Sequence, residues 1–206
     1  VKVRFVVASV LSLIVLAGCS SKPQLAGAAA VVGDTQISQS KVTEIVNAAL
    51  VEIKATPPTA GVQAPTAVQL GSMVIDRLVV SEVLHRIAEA RPSIAVTPKQ
   101  VDAFTQQIFS QYGEPTVASQ VLFQSGTPYA DIKDFVEDYM LKQSIVQTIA
   151  PTANQNEQST ALYQFLGEEA KKLGVRVSPR YGNWDLASSQ AIAGDNTLSF
   201  PAAPTN

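Results

Sequence analysis

Cysteine and histidine each occur once in the 206 residues, as Cys19 and His85. A disulfide within the chain is therefore excluded, and a zinc site built from Cys and His has too few ligands. Charge is scarce as well: 16% of residues are Asp, Glu, Lys or Arg, and the formal net charge is −2. That leaves no basic field for nucleic acid. No glycine-rich phosphate loop and no Gly-x-Ser-x-Gly elbow occurs. The motifs thus point to no enzyme: catalytic residues none, cofactors none, metal ligands none. No solenoid-spaced repeat is present. What remains is a chain that is 46% hydrophobic, enough for one ordinary domain with its own core.

The single cysteine stands at an informative place. Lys2 and Arg4 form a positive start, and Phe5 to Leu16 form an apolar run broken only by Ser9 and Ser12. A membrane-spanning helix needs ~20 residues, so this run is short for one and suits a cleaved leader. Leu16-Ala17-Gly18-Cys19 follows. It resembles the lipobox of bacterial lipoproteins. That resemblance implies a signal peptide over residues 1–18, peptidase recognition of Leu16, Ala17 and Gly18, and lipidation of Cys19 by a thioether to diacylglycerol. The lipid bilayer is then a partner through acylated Cys19, and the location is the extracytoplasmic face of the bacterial cell membrane. Several acyl chains at ~0.8 kcal/mol per buried CH₂ anchor a protein stably. Loss of Lys2 and Arg4 with the leader makes the net charge of −2 more negative by two. Residues 19–29 read as the acylated Cys and a flexible tether, and 30–186 as the domain.

Within the domain the dominant signal is helical. Val31 to Ile37 reads as strand, Gly33-Asp34 turn and second strand, after which Ser38 caps a helix. Val42, Ile45, Val46, Ala49, Leu50 and Ile53 give that helix one apolar face. A Pro-rich loop over 55–66 leads to a long helix from about Ala67 to Arg91. Its apolar residues Val68, Val74, Ile75, Leu78, Val79, Val83, Leu84 and Ile87 cover more than one stripe, so it is expected at the centre of the core. Thr97-Pro98-Lys99-Gln100 has the residues of a capping box with Pro at the first helical position. That third helix buries Val101, Phe104, Ile108 and Tyr112, and Gly113 stops it. Glu114-Pro115 starts a fourth with Val117, Val121 and Leu122 inward. Thr127-Pro128 repeats the cap logic for a fifth, with Ile132, Phe135, Val136, Tyr139 and Val146 inward. A polar linker over 151–156 precedes a sixth helix, about Glu157 to Leu173, with Leu162, Phe165, Leu166 and Leu173 on one face and Gly174 at its end. Residues 187–206 show no sustained period and read as a disordered tail.

After the helices stands Val175-Arg176-Val177-Ser178-Pro179-Arg180-Tyr181-Gly182-Asn183-Trp184-Asp185, which holds the chain's one Trp. A lone short strand is unstable in water, and its only available partner is Val31–Ile37. The expected fold is therefore mainly α, about six helices closed by a small antiparallel β-sheet that pairs strands 31–37 and 175–178. Pro179 ends the pairing, and Trp184 packs across helix ends. The opening AVVGDTQISQSKV resembles that of SurA-type extracytoplasmic chaperones, and LGVRVSPRYGNWD resembles the closing segment of actinobacterial relatives of that family. The resemblance spans roughly 30–186. Larger members carry a parvulin prolyl-isomerase domain between the fifth and sixth helices, with paired histidines. Here that point holds only PTANQN, and His85 is the sole histidine.

The resemblance implies a lipid-anchored, ATP-independent holdase without prolyl-isomerase activity. Its partners would be unfolded or nascent secreted polypeptides, held in an apolar groove whose residues the sequence does not identify. The alternative is an envelope assembly lipoprotein that binds one folded partner. A terminal strand that pairs late can be exchanged with a second copy, giving a homo-oligomer. His85, with Glu82 and Glu89 at i−3 and i+4, reads as an ion-paired surface or half-buried hydrogen-bonded residue. The group Asp131, Asp134, Glu137 and Asp138 reads as a solvated helix face, and neither feature offers a pH switch. Phe104, Phe109, Phe123, Phe135 and Phe165 are expected mostly in the core, one or two of them lining a groove.

Overall fold

The computed structural model describes residues 27–56, 58, 63–185 and 190–192. It is mainly helical, with six α-helices and a small three-stranded antiparallel sheet. In chain order these are β1 (Ala28–Val32), β2 (Thr35–Ser38), α1 (Gln39–Ala55), α2 (Ala67–Ala90), α3 (Pro98–Tyr112), α4 (Glu114–Ser125), α5 (Ile132–Ile149), α6 (Gln155–Leu173) and β3 (Arg176–Val177). Two further strands, β4 (Asn183–Asp185) and β5 (Gln190–Ile192), pair with each other as a second sheet. The leader, Leu16, Ala17, Gly18 and Cys19 lie outside the described residues.

The two ends of the domain meet as expected. β1 is the central strand, in the order β2-β1-β3. Val31 faces Gln36 on one side and Arg176 on the other. Past the last ladder pair, the Ser178 N–H donates to Ala29 O at 2.8 Å. The hairpin turn is tied to the other end of the domain too. Gly33, at φ 62°, donates its N–H to Leu173 O at 2.9 Å. A side chain is disfavoured at that φ, which explains glycine there. Arg86 reaches from α2 to Asp34 at 2.5 Å and to Thr35 Oγ1 at 2.6 Å.

One boundary moves. Ala28 and Ala29, placed in the tether by composition, belong to β1 and are fully buried. Alanine has low strand propensity, but here α2 covers the strand and small side chains permit the close approach. At the other end Gln190–Ile192 pairs with β4, so the segment read as a structureless tail contributes a strand. The remainder of 187–206 lies outside the described residues.

Seven aliphatic side chains of α2 are buried: Leu70, Val74, Ile75, Val79, Val83, Leu84 and Ile87. Each contributes ~2 kcal/mol on burial, so packing rather than intrinsic propensity holds the helix. α2 touches α1, α4, α5, α6 and β1. The main core runs from Ala29, Ala30 and Val32 through α2 to Leu141, Ile145, Leu166 and Ala170. A second cluster joins Val101, Val117, Val121, Ile132 and Val136. Three expected inward residues instead face solvent: Val68 (44% exposed), Tyr112 (59%) and Tyr139 (45%). Tyr139 stacks on Phe104, centroids 5.8 Å apart.

Caps decide the helix starts. Thr97 and Thr66 both form complete capping boxes, with Gln100 and Gln69. Thr127 does not cap. It is buried and shares a 2.8 Å hydrogen bond with Ser125 Oγ, Pro128 opens a 3-10 turn, and α5 begins only at Ile132. α6 starts two residues earlier than the expected Glu157, because Asn154 accepts from the Asn156 and Glu157 N–H groups and Glu157 closes the box.

Candidate functional site

Polar residues recur along α2 at every fourth position: Arg77, Ser81 and His85. That spacing puts them on one face, and the face meets α5. Arg77 Nη2 donates to Asp131 Oδ2 at 2.9 Å. The Ser81 hydroxyl donates to Asp138 Oδ1 at 2.9 Å. His85 Nδ1 lies 2.8 Å from Ser81 O, to which it donates, and Nε2 lies 3.6 Å from Glu137 Oε1.

Asp131, just before α5, and the acidic residues of α5 are thus not one solvated face. Asp134 is exposed, Asp131 is held by Arg77, and Asp138 is 3% exposed. Burial pushes the Asp138 carboxyl up to about 6, against the Ser81 hydrogen bond and the charges of Lys142, His85 and Arg77. The expectation of a solvated acidic face is thus corrected at Asp138, which lies in the helix interface. A sequence signal was present: Asp138 stands three and seven residues before Leu141 and Ile145, both buried, so it shares their stripe.

His85 is half-buried and hydrogen-bonded. Its carboxylate partner is Glu137, across the interface. Glu82 and Glu89, its expected partners, are taken by Arg86. Burial lowers the His85 pKa, but the Ser81 carbonyl, Asp138 and Glu137 outweigh it, and the net shift is upward. For Lys142, burial lowers the pKa and Asp138 opposes that.

Beside this interface α2, α5, α6 and the end of α4 enclose a cavity of about 440 Å³. Its apolar wall includes Met73, Val80, Phe135, Leu162 and Leu166, and its charged wall Asp76, Arg77, Asp138 and Lys142. A second cavity of about 470 Å³ lies under the segment entering α2, against Val68, Met73 and Phe123. Met73 lines both. The two cavities are therefore neighbours along α2 that share the Met73 wall near the end of α4, and together they are called the groove. Tyr163 and Val68, on its walls, are 46% and 44% exposed, so it opens to solvent. Phe123 and Phe135 are the aromatic groove residues that the sequence could not single out.

Trp184 packs against the main core cluster, and Val80, Val83, Leu166 and Ala170 surround a small void beside it. It covers the flanks of α2 and α6 rather than helix ends. Its Nε1 is buried without a hydrogen-bond partner among the described residues. The preceding 3-10 turn, Pro179–Tyr181, buries Tyr181 at 6% exposure. Among the described residues no three His, Cys, Asp or Glu side chains are grouped to hold a metal ion, and no helix is long and apolar enough to cross a membrane. Comparison with protein-family models, with curated proteins and with solved structures finds no match.

Proposed function

We propose that this protein is an ATP-independent holdase, anchored through acylated Cys19 at the extracytoplasmic face of a bacterial membrane, and that the α2 groove holds extended apolar segments of unfolded exported chains. The observation that carries the reading is the pair of cavities meeting at Met73. From Val68 to Val80 α2 rises ~18 Å at 1.5 Å per residue. An extended peptide advances ~3.3 Å per residue, so the groove accommodates about five residues. Apolar walls provide affinity without demanding one side chain, and a methionine at the junction adjusts to different occupants. The groove needs neither nucleotide nor covalent chemistry to release its occupant.

The test is suppression of aggregation of a reduced secreted protein, measured by light scattering, for the wild type and Met73→Lys. Charge at the junction of the two cavities should lower protection several-fold while the folded state, followed by circular dichroism, persists. Equal protection by both proteins would remove the groove from the reading. Protection of one folded envelope protein only would favour a dedicated assembly factor.

A further inference from the structure

The last described strand lies at one end of the groove. Val80 and Leu166 line the cavity between α2, α5 and α6, and they also line the small void beside Trp184. Trp184 stands on β4, faces Ala191 of β5, and β5 touches α2. The β4–β5 hairpin thus sits at the α2–α6 seam, and residues 193–206 follow directly from Ile192. Residues 196–206 carry no charge, and within them Leu198-Ser199-Phe200-Pro201-Ala202-Ala203-Pro204 is apolar apart from one hydroxyl. The two prolines fix their own φ and push the residues before them towards extended backbone. Such a run has less conformational freedom to lose on docking. In that conformation Leu198 to Pro204 spans ~19 Å at ~3.1 Å per residue, which matches the ~18 Å of α2 between Val80 and Val68. The connection from Ile192 to Leu198 reaches up to ~20 Å, more than the ~10 Å diameter of a helix, so the run can enter the groove at Val80.

We propose, resting on the groove reading above, that residues 198–204 of this chain occupy the groove as a tethered substitute for a client. Leu198 and Phe200 lie on the apolar wall of Met73, Phe135, Leu162 and Leu166, and an unfolded client enters by displacing them. A segment on a short linker is present at an effective concentration on the order of 1 mM. If it binds itself with a dissociation constant of about 0.1 mM, every outside segment is weakened about tenfold. The groove then rejects segments that bind no better than the chain's own. Longer or more apolar stretches, which unfolded chains expose, still displace it. Return of residues 198–204 also blocks recapture of a released client, with no nucleotide needed.

The experiment compares three proteins: the full chain, a chain ending at Ile192, and the full chain carrying Leu198→Asp and Phe200→Asp together. The probe is the dansylated amide of the sequence LSFPAAP, titrated by fluorescence at two protein concentrations tenfold apart. The shortened chain and the double variant should each bind the probe about tenfold more tightly than the full chain. Met73→Lys in the shortened chain should abolish that binding. Should the shortened chain fail to fold by circular dichroism, the double variant decides. Equal probe binding by all three proteins overturns self-occupancy and leaves the groove. No probe binding by the shortened chain overturns self-occupancy too. The groove reading is then judged separately, by whether Met73→Lys lowers protection of a reduced secreted protein in light scattering. An effect of shortening that grows with protein concentration places the segment in the groove of a second copy and overturns occupation within one chain.

Discussion

Substitution of Asp138 by Asn isolates one buried charge. In the folded protein the carboxyl titrates at about 6, raised from 3.8 chiefly by burial. Because the folded pKa is the higher one, the native state binds more protons between these values. Stability contributed by the group is therefore present in full below 3.8 and lost as pH rises through 6. A shift of about two units corresponds to about 3 kcal/mol in total. Between pH 5 and pH 7.5 roughly half of that is lost, on the order of 1 kcal/mol, since part of the loss has already occurred by pH 5. Asn keeps an oxygen for the Ser81 hydroxyl but does not titrate. The stability of wild type minus that of Asp138→Asn should fall by on the order of 1 kcal/mol from pH 5 to pH 7.5. The raised pKa of His85 acts in the same direction but occurs in both proteins, so it leaves the difference apart from its coupling to Asp138. Urea unfolding at four pH values measures this directly. A difference constant with pH, or one that grows with pH, would refute the burial of an ionisable carboxyl between α2 and α5.

Further outcomes follow from the ends of the chain and from one turn. Ser178→Pro keeps an allowed backbone, φ being −63°, but removes the 2.8 Å hydrogen bond to the buried Ala29 carbonyl. It should cost ~1–3 kcal/mol in urea unfolding. Gly126→Ala places a Cβ 3.1 Å from Leu70 Cδ2 at a φ of +65° and should destabilise by ~1–3 kcal/mol in the same assay. Trp184 emission should be blue-shifted in the native protein and move red on unfolding, with Trp184→Ala costing roughly 2 kcal/mol, about half the cost for a fully buried aromatic. A native spectrum already at the solvent-exposed wavelength would contradict the packing against the main core cluster.

Local chemistry made much of this fold legible. The Thr97-Pro98-Gln100 start, the glycine stops at 113, 126 and 174, and the inward face of α4 depend on neighbours in sequence, and each is where the chain indicates. The closure of the domain was legible for another reason: Val175–Val177 needed a strand partner, and only one segment could provide it. The misses have a common physical cause. Thr127 failed as a cap because its hydroxyl is buried against Ser125. Ala28 and Ala29 are strand because α2 covers them, not because alanine prefers it. The groove belongs to four helices at once, so no window of sequence contains it. Asp138 was the readable exception, carried on the Leu141–Ile145 stripe but judged by its acidic neighbours instead.

The most direct test of the groove is site-specific photo-cross-linking to an unfolded client. A photoreactive residue is placed at Met73, where both cavities meet, and in a second protein at Val51, which is 68% exposed on α1 and lines neither cavity. Each is irradiated with reduced, carboxymethylated lactalbumin and with the same protein in its native fold. The account predicts adducts from position 73 with the unfolded form only, at several apolar segments of the client, and few from position 51. Equal labelling from both positions, or adducts with the native form alone, would contradict it.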